Sequence, residues 1–382
     1  MKKTYLLTPG PTPIPESVLA AMSLPIVHHR TPAFMAVFQE VQTGLKAVFQ
    51  TQQDVLLLAS TGTGAMDATV NNLFEKDETV IALNTGKFGA RWSKIARAYG
   101  VNVVEVSAEA GDCIELAAVE LALQSHPNVK GILFQASETS TGVKLPVQQI
   151  CALAKKYNVL AVCDAITACG VFYLPMDAWN IDVLITGSQK AFMLPPGLSM
   201  MALSETAWAK QAITKNPRFY FDLARERKAL STHQTAWTPA ISLIVGLRES
   251  LKLIHEEGLQ EVFKRHGRLA RATRAGVEAL GLQLFVRKIE YCSDAVTSVR
   301  IPDSIVDGKK LVQHMRDQYG VIIVGGQDEL DGKILRLSHF GYCGPFDIVT
   351  AISALELALH DMGYPVTFGK GVGAVLQSLS QT

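Results

Sequence analysis

From residue 50 to 205, short apolar runs alternate with stretches whose apolar residues recur every three or four positions. The runs at 54–59 and 181–185 predict buried strands, and those at 79–83, 101–106, 131–136, 159–163 and 198–203 predict further ones. Between them, 65–74, 90–99, 114–125 and 146–157 predict helices. Ahead of them, Phe34, Val37, Phe38, Val41, Leu45 and Val48 trace one face of a helix over 33–49, and 16–22 predicts a short helix. This alternation predicts an α/β fold built on a doubly wound, mostly parallel sheet, whose ligands bind beyond the carboxyl ends of the strands. Past residue 240 the pattern changes. Long helical stretches at 240–257 and 259–280 lead into strands near 282–286, 295–300, 321–324 and 334–337, with helices over 307–318 and 345–361. That predicts a smaller α+β unit. The tail, 363–382, is rich in Gly, Ser and Gln near its end and predicts a loosely held segment.

The totals narrow the classes. At 382 residues, with 48% apolar and 19% charged, the chain has material for a large core and a smaller one. Its 36 basic and 35 acidic residues leave a net charge of +1, which offers no field for nucleic acid or an anionic membrane surface. No apolar run has the length of a signal-peptide core or a membrane span. The six cysteines form no CxxC pair and read as reduced thiols of a cytoplasmic protein, and no metal is expected.

The strand ends carry the chemistry. Gly187-Ser188-Gln189-Lys190 follows the run at 181–185, with Pro195-Pro196-Gly197 behind it, and Asp164 ends the run at 159–163. A lysine nucleophile and an acid on neighbouring strand ends suit pyridoxal phosphate (PLP), since the lysine forms a Schiff base and the acid keeps the pyridine nitrogen protonated. In isolation each has a plainer reading: Lys190 as a solvated surface residue, Asp164 as a helix N-cap. Ser60-Thr61-Gly62-Thr63-Gly64, between strand and helix, is either a phosphate cradle or an ordinary turn, and it lacks the Gly-Lys-Ser/Thr of a Walker loop. Phe88, on a loop bracketed by Gly86 and Gly89, either caps the core or stacks on a flat ring. The hydroxyls around Ser137-Glu138-Thr139-Ser140-Thr141 form a loop or a hydrogen-bonding ledge. His28-His29-Arg30 is a solvated loop or a pocket lining.

These segments, with Pro9-Gly10-Pro11, Gly325-Gly326 and Arg336-Leu337-Ser338-His339-Phe340-Gly341, resemble the class V PLP-dependent aminotransferases, in their alanine–glyoxylate and serine–pyruvate branch. The resemblance spans about residues 5–362. It implies fold type I and the following roles. Lys190 is the Schiff-base lysine and general base, and Asp164 pairs with the pyridinium nitrogen. Phe88 stacks on the ring where relatives often carry Trp, and Ile166 packs under it. Thr61, Gly62, Thr63 and Gln189 bind the phosphate, and Thr139 lies near the ring oxygen. Thr235, with Thr232 and Gln234 as rivals, reaches the phosphate of a neighbouring subunit in a homodimer. Arg336 clamps the substrate carboxylate with its planar fork. His339 reads as structural. The implied organisation is an N-terminal arm (1–20), a large PLP-binding domain (21–260), a small domain (261–362) and the tail. The implied reaction is ping-pong transamination between alanine or serine and glyoxylate or pyruvate. A cysteine desulfurase or lyase on the same fold is one rival, although no Cys occupies the loop before Arg336. A non-catalytic subunit of a larger complex is another.

Overall fold

Seven strands form the central sheet of the computed structural model, which describes residues 3–381. They are β1 (Val55–Leu58), β2 (Thr79–Asn84), β3 (Asn102–Ser107), β4 (Val129–Gln135), β5 (Leu160–Asp164), β6 (Val183–Gly187) and β7 (Ser199–Leu203), in the order β1-β7-β6-β5-β4-β2-β3. β7 runs antiparallel to both its neighbours, because the chain reverses in the turn after Gly187; β2 to β6 pair in parallel. Side chains alternate between two apolar layers. Ile132, Phe134, Cys163 and Leu184 face one with Phe38 and Leu45, while Leu133, Val162 and Ile185 face the other with Met66, Phe74 and Trp92. Burial on both faces explains why the inner strands read as unbroken apolar runs, whereas the edge strand β3 is interrupted by the exposed Asn102, Glu105 and Ser107.

The helices that matter below are α1 (Pro32–Phe49), α2 (Gly62–Leu73), α3 (Lys87–Ala98), α4 (Val147–Lys156), α5 (Ile241–Glu257), α6 (Leu259–Ala279), α7 (Pro345–Asp361) and α8 (Lys370–Ser380). Two of them start earlier than the sequence predicts. α2 begins at Gly62 inside the Gly/Thr turn, and α3 begins at Lys87, so Phe88 lies in a first helical turn rather than on a loop.

A second core gathers Leu7, Leu269, Val299, Leu311, Leu335, Leu355 and Val375 around an antiparallel sheet of β8 (Val296–Arg300), β9 (Val324–Gly325) and β10 (Ile334–Ser338), in the order β8-β10-β9. The N-terminal segment joins it, since Tyr5–Leu6 pairs in parallel with Val321–Ile322. The strand expected over 321–324 is therefore divided between two sheets, and the one expected near 282–286 is reduced to a single Leu284–Val299 bridge. α6 places Val262 in the first core and Leu269 in the second. We propose the boundary there, at 260/261, with residues 1–20 as an arm; Met1, Lys2 and Thr382 lie outside the described residues.

The expectation of a loosely held tail is corrected. α8 packs on α6 and α7, with Val375 fully buried. Its first turn is capped by the buried Glu356, which accepts the N–H groups of Gly369, Gly371 and Val372 at 2.7, 2.8 and 3.2 Å. Composition could not show this, because the capping residue belongs to another helix. Val375→Ala should lower unfolding free energy by about 2 kcal/mol in urea titration; a loosely held tail would give a change within about 0.5 kcal/mol.

Candidate active site

The carboxyl ends of β1, β4, β5 and β6, with the first turn of α3, surround a cavity of about 250 Å³. Thr61, Gly62 and Thr63 line it after β1, Phe88 and Arg91 from α3, and Ser137 and Thr139 after β4. Asp164, Ile166 and Thr167 follow from β5, and Gln189 and Lys190 from the turn after β6. A wider groove of about 570 Å³ between α1 and α5, lined by Glu40, Leu251 and His255, contains none of the candidate site residues.

The lysine turn is held from both sides. Ser188 Oγ donates to the Pro195 carbonyl at 2.7 Å and accepts from Leu198 N at 3.2 Å. From the N-terminal arm, Thr12 N donates to the Gln189 carbonyl at 3.2 Å and Thr12 Oγ1 to that of Lys190 at 2.9 Å. The Lys190 ammonium donates to the Pro9 carbonyl. A Cβ at position 10 would lie 2.2 Å from Lys190 Nζ, so only glycine leaves the lysine room. Burial brings the Lys190 pKa down to about 8, against the pull of Asp164.

Asp164 is 5% exposed, and its one described hydrogen bond is from Ile166 N to Oδ1 at 2.8 Å. Burial pushes its pKa up to about 7; the Ile166 N–H, Arg91 and Lys190 oppose the shift, and Glu138 adds to it. A buried carboxylate with a single backbone donor lacks the charge partner such groups require. The protonated ring nitrogen of PLP is such a partner. The turn at 61–63 fits the phosphate. Thr61 makes no side-chain cap, and while Gly64 N already bonds the Thr61 carbonyl at 2.8 Å, no acceptor is described for Gly62 N or Thr63 N, the first two N–H groups of α2. A Cβ at Gly62 would lie 2.2 Å from Ile166 Cδ1, so the cradle approaches closely the residue expected under the ring. Gln189 Oε1 is buried without a hydrogen-bond partner, leaving that amide available to a ligand. The residues present fit the cofactor.

Arg336, in the middle of β10 and 4% exposed, does not line this cavity but borders it. Its Nε donates to the Gly325 carbonyl and its Nη1 to the Thr139 carbonyl, both at 2.9 Å. Burial lowers its pKa to about 10. Thr139 Oγ1 shares a 2.8 Å hydrogen bond with Thr167 Oγ1. Thr235 lies elsewhere, its hydroxyl on the Trp237 carbonyl at 2.6 Å. Thr232 bonds the Ala229 carbonyl at 3.0 Å, and Gln234 is half-buried on the same loop. His28 is exposed with its ring 4.6 Å from that of His29, and neither meets the cavity. His339 is fully buried between the Asp294 carbonyl at 2.9 Å and Thr297 Oγ1 at 3.0 Å.

Sequence reasoning passed over Arg91 and Thr167; it placed Ser137 and Glu138 only in a loop or hydrogen-bonding ledge, and Pro9 only in the family pattern, without the contact of its carbonyl to Lys190. Arg91 Nη1 donates to Thr63 Oγ1 at 2.9 Å, and its guanidinium lies 4.8 Å from the Phe88 ring centroid. It is one turn beyond Phe88, so a helix drawn from residue 87 would have pointed to it.

The unpartnered charge of Asp164 has a measurable sign. In the cofactor-free chain the folded pKa is about 7 against an ordinary 3.8, so the native state holds a proton that the unfolded chain releases. Stability then falls as pH rises between these values. Cofactor-free Asp164→Asn should exceed the wild type in urea-unfolding free energy by roughly 2–4 kcal/mol at pH 8 and match it near pH 4. A variant less stable at pH 8 would contradict this reading.

The class-V aminotransferase family model matches residues 4–332. The chain is 37% identical to the soluble hydrogenase small subunit of Synechococcus sp. (strain PCC 6716), over 99% of both chains. It is 33% identical to the serine–glyoxylate aminotransferase of Arabidopsis thaliana, over 97% of this chain and 94% of that one. It superposes on the crystal structure of ureidoglycine–glyoxylate aminotransferase from Bacillus subtilis with a TM-score of 0.95 and 28% identity, covering 100% and 99% of the two chains. With a PLP-shaped set of donors at the edge of such a sheet and a match of this extent, the chain belongs to the class V aminotransferases, PLP-dependent enzymes of fold type I.

Proposed function

We propose that the protein transfers an amino group from alanine or serine to glyoxylate or pyruvate, in two half-reactions at one site. The observation that carries this reading is that one cavity brings together a buried Asp164, whose carboxylate has a single backbone donor, and a partly buried Lys190 whose pKa is brought down to about 8. PLP, when bound, supplies the carbonyl that takes up the amino group and a ring that accepts the electron pair left by the departing α-proton. Asp164 keeps the ring nitrogen's proton in place. Thr61, Gly62, Thr63 and Gln189 hold the phosphate, Phe88 and Ile166 hold the two faces of the ring, and Thr139 approaches its oxygen. Lys190, with a pKa close to working pH, would remove the proton from the substrate α-carbon and return it two atoms away, across the nitrogen being transferred. Arg336 presents its guanidinium to the substrate carboxylate, which gives a cation now bonded to backbone carbonyls an anionic partner.

The small donors and acceptors are supported by the relatives' glyoxylate reactions and by a compact cavity bordered by Pro9 and Gly10. We further propose a homodimer in which the loop carrying Thr235 faces the partner's phosphate site. An aromatic group at that loop, with Phe219 and Tyr220 exposed and packed against the half-buried Trp237, supports it. No helix among the described residues is long and apolar enough to cross a membrane, and we propose a cytoplasmic location. The desulfurase reading is disfavoured because all six cysteines are buried, with the thiol pKa of Cys343 pushed up by its surroundings. The name of the Synechococcus relative keeps a role within a complex in view; turnover by the isolated chain separates the two.

Purified protein with bound PLP should lose its visible absorbance with alanine or serine and regain it with glyoxylate or pyruvate. Absence of both changes with all four compounds would sink the proposal. Lys190→Ala should abolish turnover, whereas Arg336→Lys should keep PLP and raise KM for the amino acid tenfold or more, as expected for about 1.5–3 kcal/mol of lost charge-assisted bonding. An unchanged KM would remove Arg336 from the clamp role.

A further inference from the structure

Glu138 is fully buried and belongs to none of the roles above. Its carboxylate accepts from Phe88 N at 3.1 Å and Gly89 N at 2.9 Å, both in the first turn of α3. It also accepts from Ser140 N at 3.1 Å, Ser140 Oγ at 2.6 Å and Gln135 Nε2 at 3.1 Å. Ser140 Oγ also accepts from Lys87 N at 3.0 Å, which leaves its hydrogen free for Glu138. The other four partners are N–H groups that can only donate. The ring of donors and the helix N-terminus thus favour the anion, while burial pushes its pKa up. The glycines around Phe88 permit the approach. A Cβ on Gly86 would lie 2.8 Å from Glu138 Cδ, and one on Gly89 would lie 2.7 Å from Gln135 Nε2.

The same turn reaches the other half of the site. Thr139, next in the chain, holds Arg336 Nη1 on its carbonyl at 2.9 Å, and its hydroxyl lines the cavity. We propose that Glu138 is a positioning residue that locks the first turn of α3 to the 138–140 turn, and so sets the cofactor-facing ring of Phe88 and the guanidinium of Arg336 in one frame. This rests on the reading that the cavity holds PLP and that Arg336 meets the substrate carboxylate. Glutamine has the same size but turns one accepting oxygen into an NH₂ group that would face N–H donors. Replacing the carboxylate thus unseats the turn without emptying the space.

The test compares wild type, Glu138→Gln and Ser140→Ala as full-length protein stripped of PLP and titrated with it. Three quantities are read: the PLP dissociation constant, the visible circular dichroism per bound PLP, and KM for the amino donor. Glu138→Gln should weaken PLP about tenfold or more and raise KM, from the loss of one or two bonds to a charged acceptor. The dichroic band should shrink as the ring stack loosens. Ser140→Ala, which removes one donor, should weaken PLP a few-fold in the same sense; it carries the test if Glu138→Gln does not fold. PLP affinity, dichroism and KM all within twofold of wild type, with only a lowered melting temperature, would overturn the proposal and leave Glu138 a structural cap. Wild type that fails to bind PLP would overturn both this and the functional reading; normal wild-type binding with unperturbed variants would overturn this one alone.

Discussion

Hiding charge is the constraint that organises the molecule. Asp164, Glu138 and Arg336 are taken out of water, and Lys190 is partly so, at one end of a sheet whose faces are closed by apolar layers. Each isolated charge would cost several kcal/mol. The surroundings meet that cost in different ways. Glu138 is ringed by donors, and Arg336 rests on two carbonyls. Lys190 gives its ammonium to the Pro9 carbonyl and a lowered pKa. Asp164 is left with one N–H. The least satisfied group is also the one a protonated pyridine ring would complete, and a site poised this way binds because of what its own residues lack.

The N-terminal arm follows from the same constraint. It has no regular structure between residues 9 and 15, yet it pairs with the small unit at Tyr5–Leu6 and holds the lysine turn through Thr12 and Pro9. β10 brings Arg336 from the small unit to the carbonyl of Thr139 in the large one. The site is thus assembled from three parts of the chain, and its geometry depends on how the small unit sits on the sheet edge. Changes in that seating would move Arg336 relative to the cavity at the sheet edge.

Much of this was legible in the sequence because it is local. The apolar runs of the strands inside the sheet follow from burial on both faces. Lys190, Asp164 and the Ser-Thr-Gly-Thr-Gly turn declare themselves by lying just after such runs. The gathering of Thr61, Phe88, Thr139, Asp164 and Lys190 around one cavity follows from the topology, which sends the carboxyl ends of all strands but β7 to the same edge. The family pattern singled out Arg336, which composition alone would leave as a lone strand cation.

What the sequence by itself determined was the set of elements whose cause lies within a few residues: period, turn chemistry and strand-end chemistry. What only the tertiary structure decided was every feature whose cause lies far along the chain. α3 starts at Lys87 because Glu138 caps it, and α8 exists as an ordered helix because Glu356 caps its first turn and Val375 fills the small core. Residues 321–325 split between two sheets because Tyr5–Leu6 takes the first pair. Arg91 enters the site only once α3 is drawn from its true start. A helix needs donors at its first turn satisfied and does not care how distant the acceptor is in sequence. Local patterns can propose such an end, but the folded chain supplies the partner that sets it.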